Sequence, residues 1–295
     1  MSEVPLSSEE QAIRLPADEP VAAQAVEIVI RPRKGWIAID WSEISHYREL
    51  LYFLVWRDVK IRYKQTVLGV VWAVLQPVFT MLVFTTIFGR FAKIPSENLP
   101  YAVFVYAGLL PWTFFANGVT QAGQSLVNQQ NLLTKIYFPR LFVPTAAVGG
   151  GLVDLAISFG VYAVILTIYG IVPSWGVVFL PVLVLFTVMA ALGLGCTLAA
   201  LTVSYRDFRY VVPFMVQALM YLSPVVYPVS LIPSQYHWLL AINPMAGIID
   251  AYRSAILGKP WNLTTLAVSG SITIVLLVFG MFYFRKTERR FADIA

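Results

Sequence analysis

The chain has 295 residues, of which 58% are hydrophobic and 13% charged, with a formal net charge of +5. Soluble domains carry roughly 25% charged residues, and a soluble core could not hide this much apolar surface, so lipid is the expected solvent for most of it. The Lys and Arg residues bracket the apolar runs instead of covering a soluble face, which argues for membrane topology and against a nucleic-acid partner.

Residues 1–39 read as a cytosolic tail. Up to residue 30 it carries Glu3, Glu9, Glu10, Asp18, Glu19 and Glu27 against Arg14 alone, with no basic start and no apolar stretch of a cleavable signal. Residues 40–66 read as an interface segment. Ile44, Tyr47, Leu51, Leu54 and Val55 recur at helical spacing between polar residues, so the spacing predicts an amphipathic helix lying along the inner surface. Asp40 and Glu43 offer a capping-box start.

Residues 67–286 then form the membrane domain. A span needs about 20 mainly apolar residues to cross ~30 Å of hydrocarbon. Six are expected: Val67 to Gly89, Tyr101 to Ala122, Leu141 to Tyr169, a fourth from the Pro173-Ser174 turn to Val203, a short fifth from Tyr210 to Leu222, and Leu263 to Phe284. From Gly123 the chain turns polar (Gln124, Ser125, Asn128, Gln129, Gln130), which predicts that it leaves the membrane there. The inner segments would hold 16 Lys and Arg from Arg31 onward, and the outer ones only Arg90, Lys93, Arg253 and Lys259. That bias places both termini, including a short C-terminal tail over 287–295, in the cytoplasm.

Two further segments are neither span nor plain loop. Residues 131–140 combine Leu132, Leu133, Ile136, Tyr137 and Phe138 with Lys135 and Arg140, and an apolar inner loop of this kind predicts either docking of a soluble subunit or burial against the chain itself. Between spans five and six, about 224–258, Pro224, Pro228, Pro233 and Pro244 leave pieces too short to span and too apolar for a free loop. Two re-entrant helices, about Pro233 to Ala241 and Met245 to Leu257, are expected there, packed on protein because irregular backbone cannot face lipid. Asp250 and Arg253 are three apart and could pair on one helical face.

Little points to covalent chemistry. The chain has no Gly-x-x-x-x-Gly-Lys-Ser/Thr phosphate loop, and its two histidines, His46 and His237, lack acidic neighbours at metal-ligand spacing. Cys196 is the single cysteine, so no disulfide framework or cysteine metal site can form. Asp154 lies deep in a span, at a cost of about 2.5–3.5 kcal/mol at a helix centre. It must face protein or water, either packing helices together or meeting a substrate. The aromatic residues are open to two readings, interfacial belt or pore lining.

Several motifs carry a resemblance. Arg48-Glu49-Leu50-Leu51 leads to Arg57-Asp58-Val59-Lys60-Ile61-Arg62-Tyr63-Lys64-Gln65-Thr66, then Leu68-Gly69-Val70-Val71-Trp72 and Gln76-Pro77. Gly108-Leu109-Leu110-Pro111-Trp112, Lys135-Ile136-Tyr137-Phe138-Pro139-Arg140, Ser223-Pro224-Val225-Val226-Tyr227-Pro228, Asn243-Pro244 and Asp250-Ala251-Tyr252-Arg253 follow in order. Together these resemble the ABC-2 type permeases that export polysaccharides and polyol phosphates, over about residues 40–290; the acidic first 30 residues are an addition to that pattern.

The resemblance implies an all-α permease of the bacterial inner membrane, with no cofactor of its own. Its partners would be a second copy of itself and two copies of an ATPase that holds ATP and Mg. Ile44, Tyr47, Leu51, Leu132, Lys135, Tyr137, Phe138 and Arg140 would contact that ATPase. Arg57, Lys60, Arg62 and Lys64 would meet the phosphates of a lipid-linked polysaccharide, although the same cations could simply bind anionic lipid headgroups. Trp72, Tyr106, Trp112, Phe115, Tyr221, Tyr227, Tyr236, Trp238, Asp250 and Arg253 would be candidates for a channel and its outer gate. Two rivals stand beside export of a glycan: an exporter of a lipid or small drug, and a membrane enzyme that polymerises or ligates glycans, which would need acid–base groups at the outer face.

Overall fold

The computed structural model describes residues 45, 47–64, 69–130 and 138–288, all of whose regular structure is helical. Helix α1 is Arg48–Lys64 and α2 is Gly69–Phe84, which continues as a π-helix over Thr85–Phe91. Then come α3, Tyr101–Asn128; α4, Phe142–Ile168; α5, Leu180–Ser204; and α6, Phe208–Leu222. Two short helices, α7 (His237–Ile242) and α8 (Pro244–Leu257), precede the last, α9 (Leu263–Glu288). The expected tail over 1–39, Ile44, Leu132, Lys135, Tyr137 and the C-terminal tail past Glu288 lie outside the described residues.

Helix ends follow local chemistry. The Asn243 side chain accepts a hydrogen bond from the Met245 amide at 3.0 Å, and Pro244 fills the first helical position of α8, where no amide donor is needed. The Asn262 side chain does the same for the Thr265 amide at the start of α9, at 3.1 Å.

Among the described residues, five helices are long and apolar enough to cross a membrane: Val71–Phe91, Tyr101–Asn128, Phe142–Ile168, Trp175–Ser204 and Leu263–Glu288. The expected fifth span is α6, which has 15 residues, a rise of about 22 Å against the ~30 Å of hydrocarbon. Arg206 and Asp207 precede it, Arg209 lies in its first turn, and Pro224 follows it. The polar run that begins at Gly123, where the chain is expected to leave the membrane, is still helical, since α3 continues to Asn128. Polar side chains do not interrupt the backbone ladder when no Pro or Gly follows, and residues 124–128 contain neither. The segment expected to be re-entrant is built from α7, α8 and two 3₁₀ turns; its first helix, His237–Ile242, is shorter than Pro233 to Ala241, and the second starts at Pro244.

Helix α3 is the axis of the bundle. Nineteen of its 28 residues are buried, and it packs along α4 and α5 while also touching α2, α6 and α8. Helix α9 packs along α5 on the outside. Apolar surface gives helices no net drive to associate in lipid, so close approach of small residues carries the packing. At Gly193 of α5 a β-carbon would sit 2.6 Å from the Leu277 backbone nitrogen of α9, and at Gly280 it would run into the Gly193 carbonyl.

Gly280→Val therefore drives α5 and α9 apart, with an expected cost of about 1–3 kcal/mol or more. Gly160→Ala, whose β-carbon meets nothing within 4 Å, is expected to be neutral or slightly stabilising. Thermal unfolding of both variants in detergent, followed by tryptophan fluorescence, checks the pair.

Candidate functional site

One end of the bundle gathers most of the basic residues. There α1 runs alongside the first half of α4 rather than lying apart from it. A β-carbon on Gly149 would come 3.1 Å from Val55 Cγ2, and one on Gly150 would come 3.7 Å from Asp58 Cβ. One turn on, Arg62 forms an ion pair with Asp154, and the Tyr63 hydroxyl donates to the same carboxylate. The expectation of a helix resting only on the surface is modified accordingly: glycines on α4 let α1 approach, and the Asp154 charge anchors its far end. Burial pushes the Tyr63 phenol well above its ordinary range, and donation to Asp154 adds to the shift.

The four cations grouped from sequence as a phosphate site thus divide. Arg62 is committed to Asp154 and also donates to Gln121 Oε1 at 2.6 Å, while Arg57 pairs with its neighbour Asp58 at 2.8 Å. Lys60 and Lys64 are exposed. Asp154, which sequence left between packing and substrate contact, has a helix-packing partner 92 positions away.

The expected docking residues at this end are partly enclosed. Tyr47 and Leu51 are half-buried and pack against a small core of Leu54, Leu126, Phe138, Phe142, Cys196 and Phe284. Phe138 is buried within that core. Arg140 is tied to the end of α9, its amide donating to Glu288 Oε1 at 3.3 Å and its guanidinium to the Glu288 carbonyl at 3.5 Å. Between α1 and the last turns of α3 lies a cavity of about 400 Å³ lined mainly by uncharged polar side chains of α3.

The opposite end is organised by Arg253 of α8, which is 1% exposed. Its guanidinium donates to the carbonyls of Val225 at 2.7 Å and Phe104 at 3.4 Å, and lies 3.7 Å from the centre of the Phe104 ring. Among the described residues it makes no ion pair with Asp250, contrary to the expected pairing, because the carbonyls left open in the irregular segment around Val225 take its donors. Burial pushes the Asp250 carboxyl up and brings Arg253 down to about 10, so Arg253 remains a cation at neutral pH. Lys259 pairs with Glu97 and sits 4.8 Å from the same Phe104 ring. Sequence gave no sign of this use of Phe104 and Val225; only an Arg inside an apolar run hinted that carbonyl partners were needed.

The aromatic candidates separate by burial. Tyr106, Trp112 and Phe115 are enclosed within the chain, Tyr106 stacking on Tyr162 at 5.3 Å. Trp72, Tyr221, Tyr236 and Trp238 are exposed, and Tyr227 is half-buried with its hydroxyl donating to the Tyr221 carbonyl at 3.1 Å.

If the Asp154 contacts hold α1 to α4, Arg62→Ala and Asp154→Ala should each destabilise the purified protein, and the two losses should not add. A double-mutant cycle read by thermal unfolding is expected to give a coupling of about 1–2 kcal/mol. Additive losses would mean that the pair contributes nothing.

The pattern of the ABC-2 type transporter family matches residues 49–257. An "O-antigen export system permease protein RfbA" from Myxococcus xanthus is 32% identical over 85% of this chain and 97% of its own length. A Klebsiella pneumoniae protein of the same name is 28% identical over 85% of this chain and 96% of its own length. The "Polysialic acid transport protein KpsM" of Escherichia coli is 24% identical over 79% of this chain and 91% of its own length. With the family pattern spanning most of the helical bundle, from α1 to the end of α8, the chain belongs to the ABC-2 type transporter family.

Proposed function

We propose that this protein is the membrane subunit of an exporter that moves a lipid-linked polysaccharide across the bacterial inner membrane, driven by ATP hydrolysis in a separate subunit. The observation that carries the reading is 32% identity over almost the full length of a permease named for O-antigen export. Likeness to a polysialic acid transport protein over 91% of that protein's length supports a polysaccharide over a small drug. In this reading α6 is the short fifth of six spans, α7 and α8 are re-entrant helices at the outer face, and both termini are cytoplasmic. The support is the 16-to-4 bias of Lys and Arg toward one side.

The permease acts as a pair of copies with two ATPase subunits, which hold ATP and Mg. The ATPase docks on the α1 end through Tyr47, Leu51 and the 131–140 segment. Because Arg62 and Tyr63 are bonded to Asp154, a displacement of α1 is passed to α4 instead of being lost in a loose surface helix. Lys60 and Lys64, whose side chains are exposed, receive the phosphates of the lipid carrier. Arg57 and Arg62 hold α1 in position through Asp58 and Asp154. The exposed Trp72, Tyr221, Tyr236 and Trp238 offer ring faces to a passing glycan where two copies meet. The enclosed Tyr106, Trp112 and Phe115 support the protomer core.

Deleting the gene in its own host tests the reading. Full-length lipid-linked polymer is expected to accumulate on the cytoplasmic side and to return to the surface when the intact gene is restored. Normal surface glycan with nothing trapped inside would overturn the proposal, and short unpolymerised chains would point to a polymerase.

A further inference from the structure

The cavity between α1 and α3 has chemistry that phosphate binding does not use. Its volume, about 400 Å³, lies within the roughly 300–1,000 Å³ of small-molecule sites. Gln121, Gln124 and Asn128 recur at spacings of three and four, so they share one face of α3, and Gln129 joins them at its end. The two charged residues in the wall, Asp58 and Arg62, are already matched by Arg57 and Asp154. The wall therefore carries almost no surplus charge. The Thr120 and Ser125 hydroxyls donate to carbonyls of their own helix, and Gln124 donates weakly to the Arg209 carbonyl at 3.5 Å. The Gln and Asn side chains are thus what the cleft offers beside the apolar surface of Ile61 and Ala147.

Amides donate and accept at once, as sugar hydroxyls do. Gln121 Oε1 is taken by Arg62, which leaves its amide NH₂ as a donor. Gln129 also lines the cleft, and its Oε1 is buried without a hydrogen-bond partner among the described residues, an unsatisfied acceptor that a turn of the side chain would present to a ligand hydroxyl. On the same α1, Lys60 and Lys64 remain exposed. We infer that this cleft is a binding site for an uncharged sugar, holding the first sugar of the lipid-linked chain while Lys60 and Lys64 hold its phosphates. The inference rests on the export reading and deepens it: selection at entry uses the sugar as well as the charge.

The test uses the full chain with its ATPase partner in lipid nanodiscs and two probes. One is a polyprenyl diphosphate carrying a single N-acetylglucosamine, and the other is the same polyprenyl diphosphate without sugar. The sugar-bearing probe is expected to bind at least ten times more tightly to the wild type. Gln124→Leu combined with Gln129→Leu should remove that preference and leave the bare probe's affinity unchanged. Lys60→Ala with Lys64→Ala should weaken both probes in equal proportion. Equal affinity of the two probes for the wild type would overturn the sugar site without touching the export reading, and that comparison needs no variant to fold. A preference that survives in the Gln124/Gln129 double variant would also overturn it. Failure of both probes to bind would overturn the export reading and this inference with it.

Discussion

Helix α3 is apolar enough to face lipid over most of its length, yet it is largely enclosed by its neighbours. In a bilayer the hydrophobic effect does not favour that enclosure, since lipid tails solvate Leu or Val as well as another helix does. Specific contacts must supply it. The Tyr162 hydroxyl of α4 donates to the Val103 carbonyl at 3.1 Å, the Tyr106 and Tyr162 rings stack, and the Ala122 methyl lies against Gly195 of α5. Once α3 is fixed between α4 and α5, the positions of α9 on α5 and of α8 on α3 follow.

The two ends of that axis are closed in different ways, and both depend on charge held by the chain itself. At one end Asp154 draws Arg62 and Tyr63 onto α4, turning α1 from a surface helix into part of the bundle. At the other, Arg253 is buried among carbonyls and an aromatic face, binding the irregular 223–228 segment to α3 and α8. Breaking either would strand a cation or carboxylate in a medium that solvates it poorly. A transporter needs ends that stay coherent while the bundle moves, and these contacts give α1 a firm grip on a membrane-spanning helix.

Much of this was legible in the sequence. Apolar run length gave the long helices, the prolines of the outer segment gave its short pieces, and the isolated Asp154 announced that a partner was required. The identity of that partner was not legible, because 92 residues separate Arg62 from Asp154 and every nearby cation reads alike in one dimension. Nor was the centrality of α3: five apolar helices have similar composition, and only packing distinguishes the enclosed one from those that face lipid. Composition reports the solvent preference of the polar stretch after Gly123 but not its backbone, which continues as helix and sets its amides along a cleft. The placement of Tyr106, Trp112 and Phe115 was hidden for the same reason, since an aromatic ring suits a core, a lipid interface and a pore equally well.

The central claim is that this chain provides the path and a separate ATPase provides the work. Reconstitution in proteoliposomes measures it most directly, with a fluorescent lipid-linked polysaccharide in the outer leaflet and the ATPase-docking face outward. Polymer should reach the lumen only when the chain, the ATPase and hydrolysable ATP are all present. Transfer that proceeds without the ATPase, or ATP hydrolysis by the assembled complex with no polymer moved, would contradict the account.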